Sequence, residues 1–397
     1  MRILMLSWEY PPLLVGGLGR HVHGLTTALR AAGHSVTVVT RSSASAETDV
    51  VGVPEDPLLL PDDPFASALA VNHALSRAAA RLPGPFDVVH AHDWLVAHSA
   101  VAVRDQLGLP LVTTIHATEA GRHQGWLPTG LSRAVHSTES WLANSSDRVV
   151  VCSHYMRWEV NRLLGIPADR LHVIPNGADP VTPASAQVKR VRLRFGGTGP
   201  LLGFAGRLVY EKGVQDLIAA LPALRDRHPG LRLLVAGDGP HRQTLTDQAA
   251  QLGVRDAVSF AGFLGPDLAA AMAACDVQIV PSRYEPFGMV AIEAAAAGTP
   301  VVAAATGGLK EIVEPGRTGL TFPPGDRAAL ARAVTRMLDD RPAAARMART
   351  LARDVEDRYS WPAIAERTVE QYRTATGVAR PLAPDLIELP AGNLLFS

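Results

Sequence analysis

Short apolar runs alternate with amphipathic stretches from one end of this 397-residue chain to the other. In the first half, such runs predict β-strands at residues 3–7, 35–39, 87–90, 111–115, 148–152 and 171–174. Residues 19–32 have the apolar spacing of a helix, and Gly33 follows as a C-terminal cap. Strands that alternate with helices form parallel sheets with helices on both faces. The alternation therefore predicts an α/β fold with a doubly wound sheet.

The alternation starts again in the second half of the chain. Apolar runs there predict strands at residues 201–205, 231–236, 258–261, 277–280, 301–305 and 319–322. The segment PNGADPVTPASAQ lies between the two series and has the composition of a linker, so we place a hinge at residues 175–186. Two doubly wound domains would face each other across a cleft, and ligands of such sheets bind at the carboxyl ends of the strands.

These patterns set the expected domain boundaries. We expect a first domain at residues 1–178, a second at 179–358, a final helix within 359–376 whose pattern covers 361–374, and an unassigned tail at 377–397. Residues 42–64 have no clear periodicity and are predicted to be a surface loop.

Composition narrows the classes of function. Basic and acidic side chains balance at 38 each, so net charge does not favour nucleic acid or an anionic membrane as a partner. Two cysteines argue against a disulfide framework or a structural zinc site. The chain has no run of 18 apolar residues and no basic leader before an apolar segment, so we expect a soluble cytoplasmic protein.

The first glycine-rich turn, GGLG, follows the first predicted strand and precedes its helix. Gly16 and Gly17 would let the backbone approach a ligand, and the helix N-terminus would offer N–H groups to an anion. A tight turn without a ligand is the alternative. The sequence GGLGRHVHG lacks the full spacing of a dinucleotide fingerprint.

The second glycine-rich turn, GRLVYEKG, follows the first strand of the second series. Gly206 precedes two cations, Arg207 and Lys212, which stand five residues apart and could each reach a different phosphate of one diphosphate. Lys212 is one of only three lysines in the chain. The alternative is a solvated loop with an incidental ion pair to Glu211.

The third motif, EPFGMVAIE, is a loop that enters an alanine-rich helix ending at Gly298. Glu285 lies before the helix and Glu293 lies within it, eight residues later. Carboxylates accept hydrogen bonds from vicinal hydroxyls, so one could hold a hexose and the other a ribose. Backbone N–H groups near the helix start would meet the phosphates between them. A surface glutamate is the alternative for Glu293.

Histidines mark the ends of two predicted strands. His116 ends the strand at residues 111–115, a position compatible with either a structural or a functional role. The sequence HAHD places His90, His92 and Asp93 after an earlier strand. No matching carboxylate set or His-x-x-x-His helix accompanies them, so a zinc site is not expected.

Aromatic residues near the strand ends could stack on sugar rings. They are Trp8, Tyr10 and Trp94, with core packing as an equal alternative for Trp8. The candidate residues for binding an acceptor at these strand ends are Glu9, Tyr10, Asp93 and Trp94.

Together these motifs resemble the family-4 glycosyltransferases of the GT-B fold, in which two Rossmann-like domains face a cleft and a C-terminal helix crosses back to the first domain. GGLG, GRLVYEKG, AGDGP, EPFGMVAIEAAAAGTPVV and GGLKEIV carry the resemblance over nearly the whole chain. SWEYPP, HAHDWLVAH and TTIHATEAGRHQGW are similar to a bacterial glucan-synthase-like subgroup that includes mycobacterial α-glucosyltransferases associated with methylglucose lipopolysaccharide and glycogen-like glucans.

The resemblance implies roles for single residues. Arg207 and Lys212 would bind the donor diphosphate, Glu285 the donor sugar hydroxyls and Glu293 the ribose, with His116 beside the sugar. His116, Arg207, Lys212 and Glu285 are the expected catalytic residues. The expected donor-binding residues are Gly16, Gly17, Gly206, Phe287, Gly288, Met289, Val290 and Glu293. Leu14 and Val15 stand where glycogen synthases carry a lysine before the glycine pair, which leaves UDP-glucose and ADP-glucose both open as donors.

The expected activity is retaining transfer of an α-glucosyl unit from a nucleotide diphosphate glucose to a glucan or other carbohydrate acceptor, through an α-1,4 link. No metal or cofactor is expected, because the cations supply the charge and no Asp-x-Asp motif lies near a strand end. Transfer of mannose or N-acetylglucosamine, a sugar-nucleotide 2-epimerase and a non-catalytic sensor of nucleotide sugars remain alternatives.

Overall fold

A computed structural model describes residues 1–13, 16–41, 47–54, 63–179 and 181–377 of the chain. Within them, two parallel sheets of seven and six strands form two Rossmann-like domains. The expected tail at 377–397 lies outside the described residues, apart from Gly377.

Seven strands form the first sheet: β1 (Arg2–Ser7), β2 (Ser35–Arg41), β3 (Val50–Val53), β4 (Val88–His92), β5 (Leu111–Ile115), β6 (Arg148–Val151) and β7 (Leu171–Val173). Their order is β3-β2-β1-β4-β5-β6-β7, and every neighbouring pair is parallel. The helices of this half are α1 (Gly17–Ala31), α2 (Pro64–Ala79), α3 (Ala97–Leu107), α4 (Glu119–Arg122), α5 (Gly130–Ser145) and α6 (His154–Leu164).

Six strands form the second sheet: β8 (Leu201–Ala205), β9 (Arg232–Ala236), β10 (Val258–Gly262), β11 (Val277–Val280), β12 (Val301–Ala304) and β13 (Leu320–Phe322). Their order is β10-β9-β8-β11-β12-β13, again parallel throughout. The helices are α7 (Ser185–Phe195), α8 (Val214–Arg227), α9 (Arg242–Gln251), α10 (Leu268–Ala274), α11 (Met289–Ala296), α12 (Leu309–Ile312), α13 (Arg327–Asp339), α14 (Arg341–Arg358) and α15 (Trp361–Thr376).

Each predicted strand is present with ends shifted by two residues or fewer, but the predicted loop at residues 42–64 is wrong in part. It contains β3, which pairs with β2 from Val50 to Val53. The sequence gives little warning of this strand because four residues at a sheet edge are too short to show a period. Residues 42–46 and 55–62 of the predicted loop lie outside the described residues.

Local chemistry explains where several helices begin and end. The Asp63 carboxylate accepts hydrogen bonds from the N–H groups of Phe65 and Ala66 at the start of α2, with Pro64 in the first helical position. After α1, Gly33 adopts φ +84°, the left-handed conformation expected of a glycine beyond a helix end.

The last helix, α15, packs on the first domain, as the resemblance implied. Its residues Trp361, Ile364 and Tyr372 belong to the same buried cluster as Ile3 of β1 and Val22 of α1. The helix therefore joins the end of the described chain to the sheet at its beginning.

Trp361 occupies a slot between two glycines. A Cβ atom built on Gly24 would lie 2.2 Å from its indole ring, and one built on Gly177 would lie 2.4 Å from it. Glycine at both positions therefore allows the indole to reach the backbone of α1 and of the segment after β7.

A second apolar cluster crosses between the two sheets. Ile115 and Val151 of the first domain pack in one buried group with Phe287, Ala291 and Leu309 of the second. The two domains thus share a core beneath the cleft. Within the described residues, no helix has the length and apolar character needed to cross a lipid bilayer.

Gly24→Ala tests the indole slot. We expect a loss of stability of about 1–3 kcal/mol, because the added methyl overpacks against a rigid ring, an effect larger than the gain of up to about 1 kcal/mol from replacing a helical glycine. Thermal unfolding followed by circular dichroism measures it. Gly130→Ala is the control, since the nearest atom to its built Cβ lies 4.0 Å away. Equal melting temperatures for the two variants would contradict the tight slot.

Candidate active site

The GGLG turn places the start of α1 against the second domain. Gly16 precedes the helix and donates its N–H to Glu9 Oε2 at 3.0 Å. A Cβ built on Gly17 would lie 3.5 Å from Met289 Cγ, at the start of α11. The first turns of two helices from different domains therefore meet at the cleft, and both direct N–H groups toward it.

An ion pair joins the same two helices. Arg20 Nη1 of α1 lies 2.6 Å from Glu293 Oε1 of α11, and the Glu293 side chain is only 20% exposed. Burial raises the pKa of the Glu293 carboxyl, and Arg20 opposes that rise. Glu293 is therefore not the surface glutamate considered as the alternative. Its second oxygen, Oε2, is buried and has no hydrogen-bond partner among the described residues.

The two cations of the second turn have different surroundings. Lys212 Nζ lies 2.8 Å from Glu285 Oε2. Arg207 is half-exposed and approaches Glu211 only to 3.8 Å, so the ion pair with Glu211 that was considered as the alternative is long. Burial and the neighbouring guanidinium of Arg122 lower the pKa of Arg207. Arg207 thus keeps most of its hydrogen-bonding capacity for a ligand at the carboxyl end of β8.

The EPFG loop is fixed by the backbone around Glu285. Its carboxylate accepts hydrogen bonds from Lys212 and from the Ser282 hydroxyl, both at 2.8 Å. A Cβ built on Gly307 would lie 1.9 Å from the Glu285 carbonyl oxygen, so only glycine fits there. Gly288 then adopts φ +119°, which turns the chain into α11.

The remaining residues of the EPFG loop differ in how deeply their side chains are buried. The Phe287 side chain is buried in the cluster shared by both domains, so only its backbone is available to a ligand. Met289 and Val290 are half-buried at the start of α11. Gly206 adopts φ +147° and donates its N–H to Ala236 O, which fixes the turn that carries Arg207.

Asp93 and His116 lie together at the ends of β4 and β5. The Asp93 carboxylate accepts a 2.7 Å hydrogen bond from the His116 N–H. Its backbone has φ +60° and ψ 175°, a conformation costing about 1–3 kcal/mol for a residue other than glycine. Burial raises the pKa of Asp93 to about 7, and burial lowers the pKa of His116 to about 4. A strained carboxyl that titrates near neutrality is typical of a functional position.

His90 and His92 lie inside β4, whereas the sequence placed them after that strand. Polar side chains are accommodated in this buried strand because His90 has partners on both ring nitrogens. Its Nδ1 lies 2.7 Å from the Tyr372 hydroxyl and its Nε2 lies 2.8 Å from Thr114 Oγ1. These hydrogen bonds explain the buried position of His90, whereas Nε2 of His92 has no hydrogen-bond partner among the described residues.

His21 of α1 meets His92 and His116 at the inner wall of the cleft. One nitrogen from each of the three imidazoles lies within 4.8 Å of the other two. Burial lowers the pKa of His21 and of His92 well below the usual range, and neighbouring imidazoles lower both further. Local sequence patterns did not indicate this convergence, because His21 comes from a different element than the HAHD motif.

The candidate acceptor residues differ in burial in the structure. Tyr10 is fully buried, its hydroxyl lies 3.2 Å from Glu47, and burial raises its pKa to about 12. The expectation that its ring stacks on an acceptor sugar is therefore wrong, because Tyr10 packs in the core. Glu9, Asp93 and Trp94 are half-buried at the cleft side of β1 and β4. Trp94 stacks on Phe65 with ring centroids 5.9 Å apart.

Sequence reasoning missed a group of charged residues on α4 and α5. Both oxygens of the buried Glu139 carboxyl accept hydrogen bonds from the Glu119 N–H, at 2.9 and 3.1 Å. Burial raises the pKa of Glu139 to about 9. Arg122 lies 3.6 Å from Glu211 and so reaches the second domain. For Glu119 and Arg122 the signal was their position just after His116 in TTIHATEAGRHQGW, whereas Glu139 lies outside that motif.

Tyr284, next to Glu285, connects the two halves. Its hydroxyl donates to Glu159 Oε1 of α6 at 2.7 Å and accepts from the Thr118 N–H at 3.3 Å. The Thr118 hydroxyl donates to the same oxygen of Glu159 at 2.6 Å. This buried network ties the loop carrying Glu285 to the loop after His116.

The whole arrangement suits an elongated anion that carries hydroxyl groups. Two helix N-termini and two cations, Arg207 and Lys212, would face negative charge near the middle of the cleft. Glu285 and Glu293 lie on either side of the start of α11, where carboxylate oxygens can accept from hydroxyls. Of these residues, Lys212 contacts Glu285 directly, and Glu293 of α11 is held by Arg20 of α1. The ligand role of each residue is a proposal.

Comparison with known proteins gives matches over both domains. The model described as "Glycosyltransferase Family 4" matches residues 15–181, and that described as "Glycosyl transferases group 1" matches residues 186–353. A glycogen synthase of Mycobacterium tuberculosis is 45% identical, covering 97% of this chain and 98% of that protein. A D-inositol 3-phosphate glycosyltransferase of Nocardia farcinica is 33% identical, covering 94% and 89%. Among solved structures, sucrose-phosphate synthase from Thermosynechococcus elongatus has a TM-score of 0.81 at 27% identity, covering 94% and 98%.

The raised pKa of Asp93, about 7 against a usual 3.8, predicts a pH-dependent effect of Asp93→Asn. The folded state favours the protonated carboxyl, so this group's stabilisation is present below pH 4 and is lost as pH rises toward 7. Asparagine stays neutral. The melting temperature of Asp93→Asn, relative to the unchanged protein, should therefore be higher at pH 8 than at pH 5.

Asp226→Asn is the control, because Asp226 is an exposed aspartate on α8. Its difference from the unchanged protein should not grow with pH. A difference for Asp93→Asn that stays constant, or shrinks, between pH 5 and pH 8 would contradict the raised pKa.

Proposed function

Because the chain belongs to the family-4 glycosyltransferases of the GT-B fold, and is similar to glycogen synthase, we propose that it transfers an α-glucosyl unit from UDP-glucose or ADP-glucose to an α-glucan or glucosylated acceptor. The proposed link is α-1,4, with retention of the anomeric configuration. The observation that carries the proposal is that two ion pairs, Lys212–Glu285 and Arg20–Glu293, lie around the start of α11. Arg207 lies half-exposed at the carboxyl end of β8, in the same turn as Lys212.

We assign the donor diphosphate to the cations and the helix start. Arg207 is half-exposed at the carboxyl end of β8, where its fork can bind phosphate oxygens. Lys212 is held by Glu285 at 2.8 Å, so its ammonium is oriented before a ligand enters. Backbone N–H groups at Gly17, Gly288 and Met289 add donors without a net charge.

We assign the two ends of the donor to the two glutamates. Arg20 contacts Oε1 of Glu293, while Oε2 of Glu293 is buried and has no hydrogen-bond partner among the described residues. Oε2 could therefore accept a hydrogen bond from a ribose hydroxyl. Glu285 is oriented by Lys212 and Ser282 and would accept from hydroxyls of the glucose. A ribose hydroxyl would remove the cost of a buried unsatisfied oxygen, about 1–3 kcal/mol.

The proposed chemistry is front-face displacement. The bond from the anomeric carbon to the phosphate oxygen breaks as the acceptor oxygen approaches on the same face of the sugar. The acceptor proton passes to the departing phosphate oxygen. Arg207, Lys212 and the start of α11 stabilise the charge that develops there, and donors placed in this way are each worth about 3–4 kcal/mol. No step requires a metal ion, since these groups carry the compensating charge.

The acceptor side is proposed at the ends of β1, β4 and β5, where Asp93 and Trp94 are half-buried. We place the reaction in the cytoplasm, where reduced thiols persist, since both cysteines are free and buried. Relatives named for transfer to D-inositol 3-phosphate make a small phosphorylated acceptor the second candidate. Mannosyl and N-acetylglucosaminyl donors and 2-epimerisation remain the other outcomes.

Lys212→Ala tests the charge compensation. With donor saturating, kcat should fall by about 100-fold or more, because the leaving diphosphate loses an oriented cation. Lys189→Ala is the matched control, since Lys189 is exposed on α7, away from the cleft residues described above. Near-native turnover of Lys212→Ala would remove this residue from the mechanism.

The product tests the function itself. The protein is incubated in EDTA with maltooligosaccharides and either UDP-glucose or ADP-glucose. NMR should then show an α-1,4-linked glucosyl product. Free nucleotide diphosphate should be released only when the acceptor is present. A β-anomeric signal would contradict retention, and loss of activity restored by added Mg²⁺ would contradict metal independence. Product formed only with inositol phosphate, or from a different sugar donor, would overturn the glucan assignment.

A further inference from the structure

Three imidazoles converge on one point at the inner wall of the cleft. His21 comes from α1, His92 from β4, and His116 from the loop after β5, and one nitrogen of each lies within 4.8 Å of the other two. His21 and His92 are buried, whereas His116 is half-buried and borders the cleft. The cluster therefore has a closed inner side and one side toward the ligand-binding space.

The distances are close to those of a metal site. His92 Nδ1 lies 3.2 Å from His116 Nε2. Two imidazole nitrogens that bind one tetrahedral zinc ion at about 2.0–2.1 Å lie about 3.4 Å apart. These two nitrogens, which are hydrogen-bonded to each other here, already lie close to the required spacing, and a nitrogen of His21 lies within 4.8 Å of both.

The hydrogen bonds distinguish these histidines from their neighbour His90. Both ring nitrogens of His90 have partners, Tyr372 and Thr114. Within the described part of the chain, neither ring nitrogen of His21 has a hydrogen-bond partner, whereas His92 is hydrogen-bonded through Nδ1 to His116 Nε2 and leaves only its other nitrogen, Nε2, without a partner. Unsatisfied buried nitrogens cost about 1–3 kcal/mol each, and neutral imidazole nitrogens are good ligands for zinc, copper and nickel.

Neighbouring groups are placed to orient the ligands. The His116 N–H is held by Asp93 at 2.7 Å, which fixes the strand end that carries this ring. The Asn176 side chain faces His21 and is itself buried. The Asp93 contact fixes the backbone of His116 rather than its ring, whereas the Asn176 side chain is placed to contact the ring of His21, as outer groups do at metal-binding histidines.

We propose that His21, His92 and His116 form a binding site for one transition-metal ion of the zinc class, with its fourth coordination position open to the cleft. The site is inhibitory: the ion fixes His116, which the family resemblance places beside the donor sugar, and occupies space that the sugar needs. The binding claim rests on the histidine geometry alone, while the inhibition claim rests on the proposed function.

Calorimetry on the untagged full chain, stripped with EDTA and then freed of chelator, tests the binding. ZnCl2 should bind at one ion per chain. His21→Asn and His92→Asn should each lower the affinity more than tenfold, whereas His23→Asn, exposed on the same helix as His21, should not change it. Circular dichroism confirms that each variant is folded.

A second measurement uses the unchanged protein, so a variant that fails to fold does not decide the result. With ¹⁵N-histidine labelling, Zn²⁺ should shift the ring nitrogens of His21, His92 and His116, and leave those of His90 nearly unchanged. Absence of stoichiometric binding, or binding that shifts other histidines instead, would overturn the site.

Transfer assays separate the two claims. If the stripped chain forms product, Zn²⁺ should lower the rate and EDTA should restore it, and His23→Asn should be inhibited like the unchanged protein. Binding without inhibition would overturn the regulatory claim. Binding to a chain that transfers no sugar would leave the metal site standing and count against the proposed function.

Discussion

Every strand in both sheets runs parallel, and the rest of the molecule depends on that constraint. Parallel strands place their carboxyl ends at one edge, so the chemistry of each domain collects where the chain leaves its strands. Gly16 follows β1, Asp93 follows β4, His116 follows β5 and Arg207 follows β8. Helix α1 then brings the two edges into contact at α11. The site is built from many short loops on rigid sheets. The packing of the sheets, rather than the loop itself, therefore sets the position of each side chain.

Four charged groups at this meeting point form two close pairs before any ligand arrives, whereas Arg207 is half-exposed. Lys212 is paired with Glu285, and Arg20 with Glu293. A lone charge in a partly buried cleft would carry a large desolvation cost, and pairing offsets it. Under the proposed function, a diphosphate sugar would exchange one set of partners for another at these two pairs. Phosphate oxygens would replace a carboxylate beside Lys212, and sugar hydroxyls would donate to the carboxylates. The two glutamates would then orient the cations before binding and accept hydrogen bonds from the ligand after it.

Much of the fold could be predicted from local pattern, because period and turn chemistry are local properties. Local pattern predicted the strand cores, the helix end at Gly33 and the glycine turns at Gly16 and Gly206. β3 was missed since a four-residue edge strand is too short to show its period. Local pattern was also insufficient for Arg20, whose partner Glu293 lies 273 residues further along the chain. Such a contact depends on how two domains dock, and nothing in the flanking sequence specifies it.

The residues proposed for the donor and those proposed for the acceptor differ in how the sequence encodes them. The proposed donor residues lie within short motifs, where one glycine turn fixes the backbone and the charged residues follow at set spacings. The proposed acceptor residues are contributed singly by several elements, and similar side chains there have opposite environments. Tyr10 is buried in the core, while Trp94, also beside a strand end, is half-buried next to the cleft. Glu139 lies in a helix whose pattern is ordinary, yet burial raises its pKa to about 9. Burial is a property of packing between elements, so an aromatic or acidic residue near a strand end does not reveal by its type whether it faces the core or the acceptor.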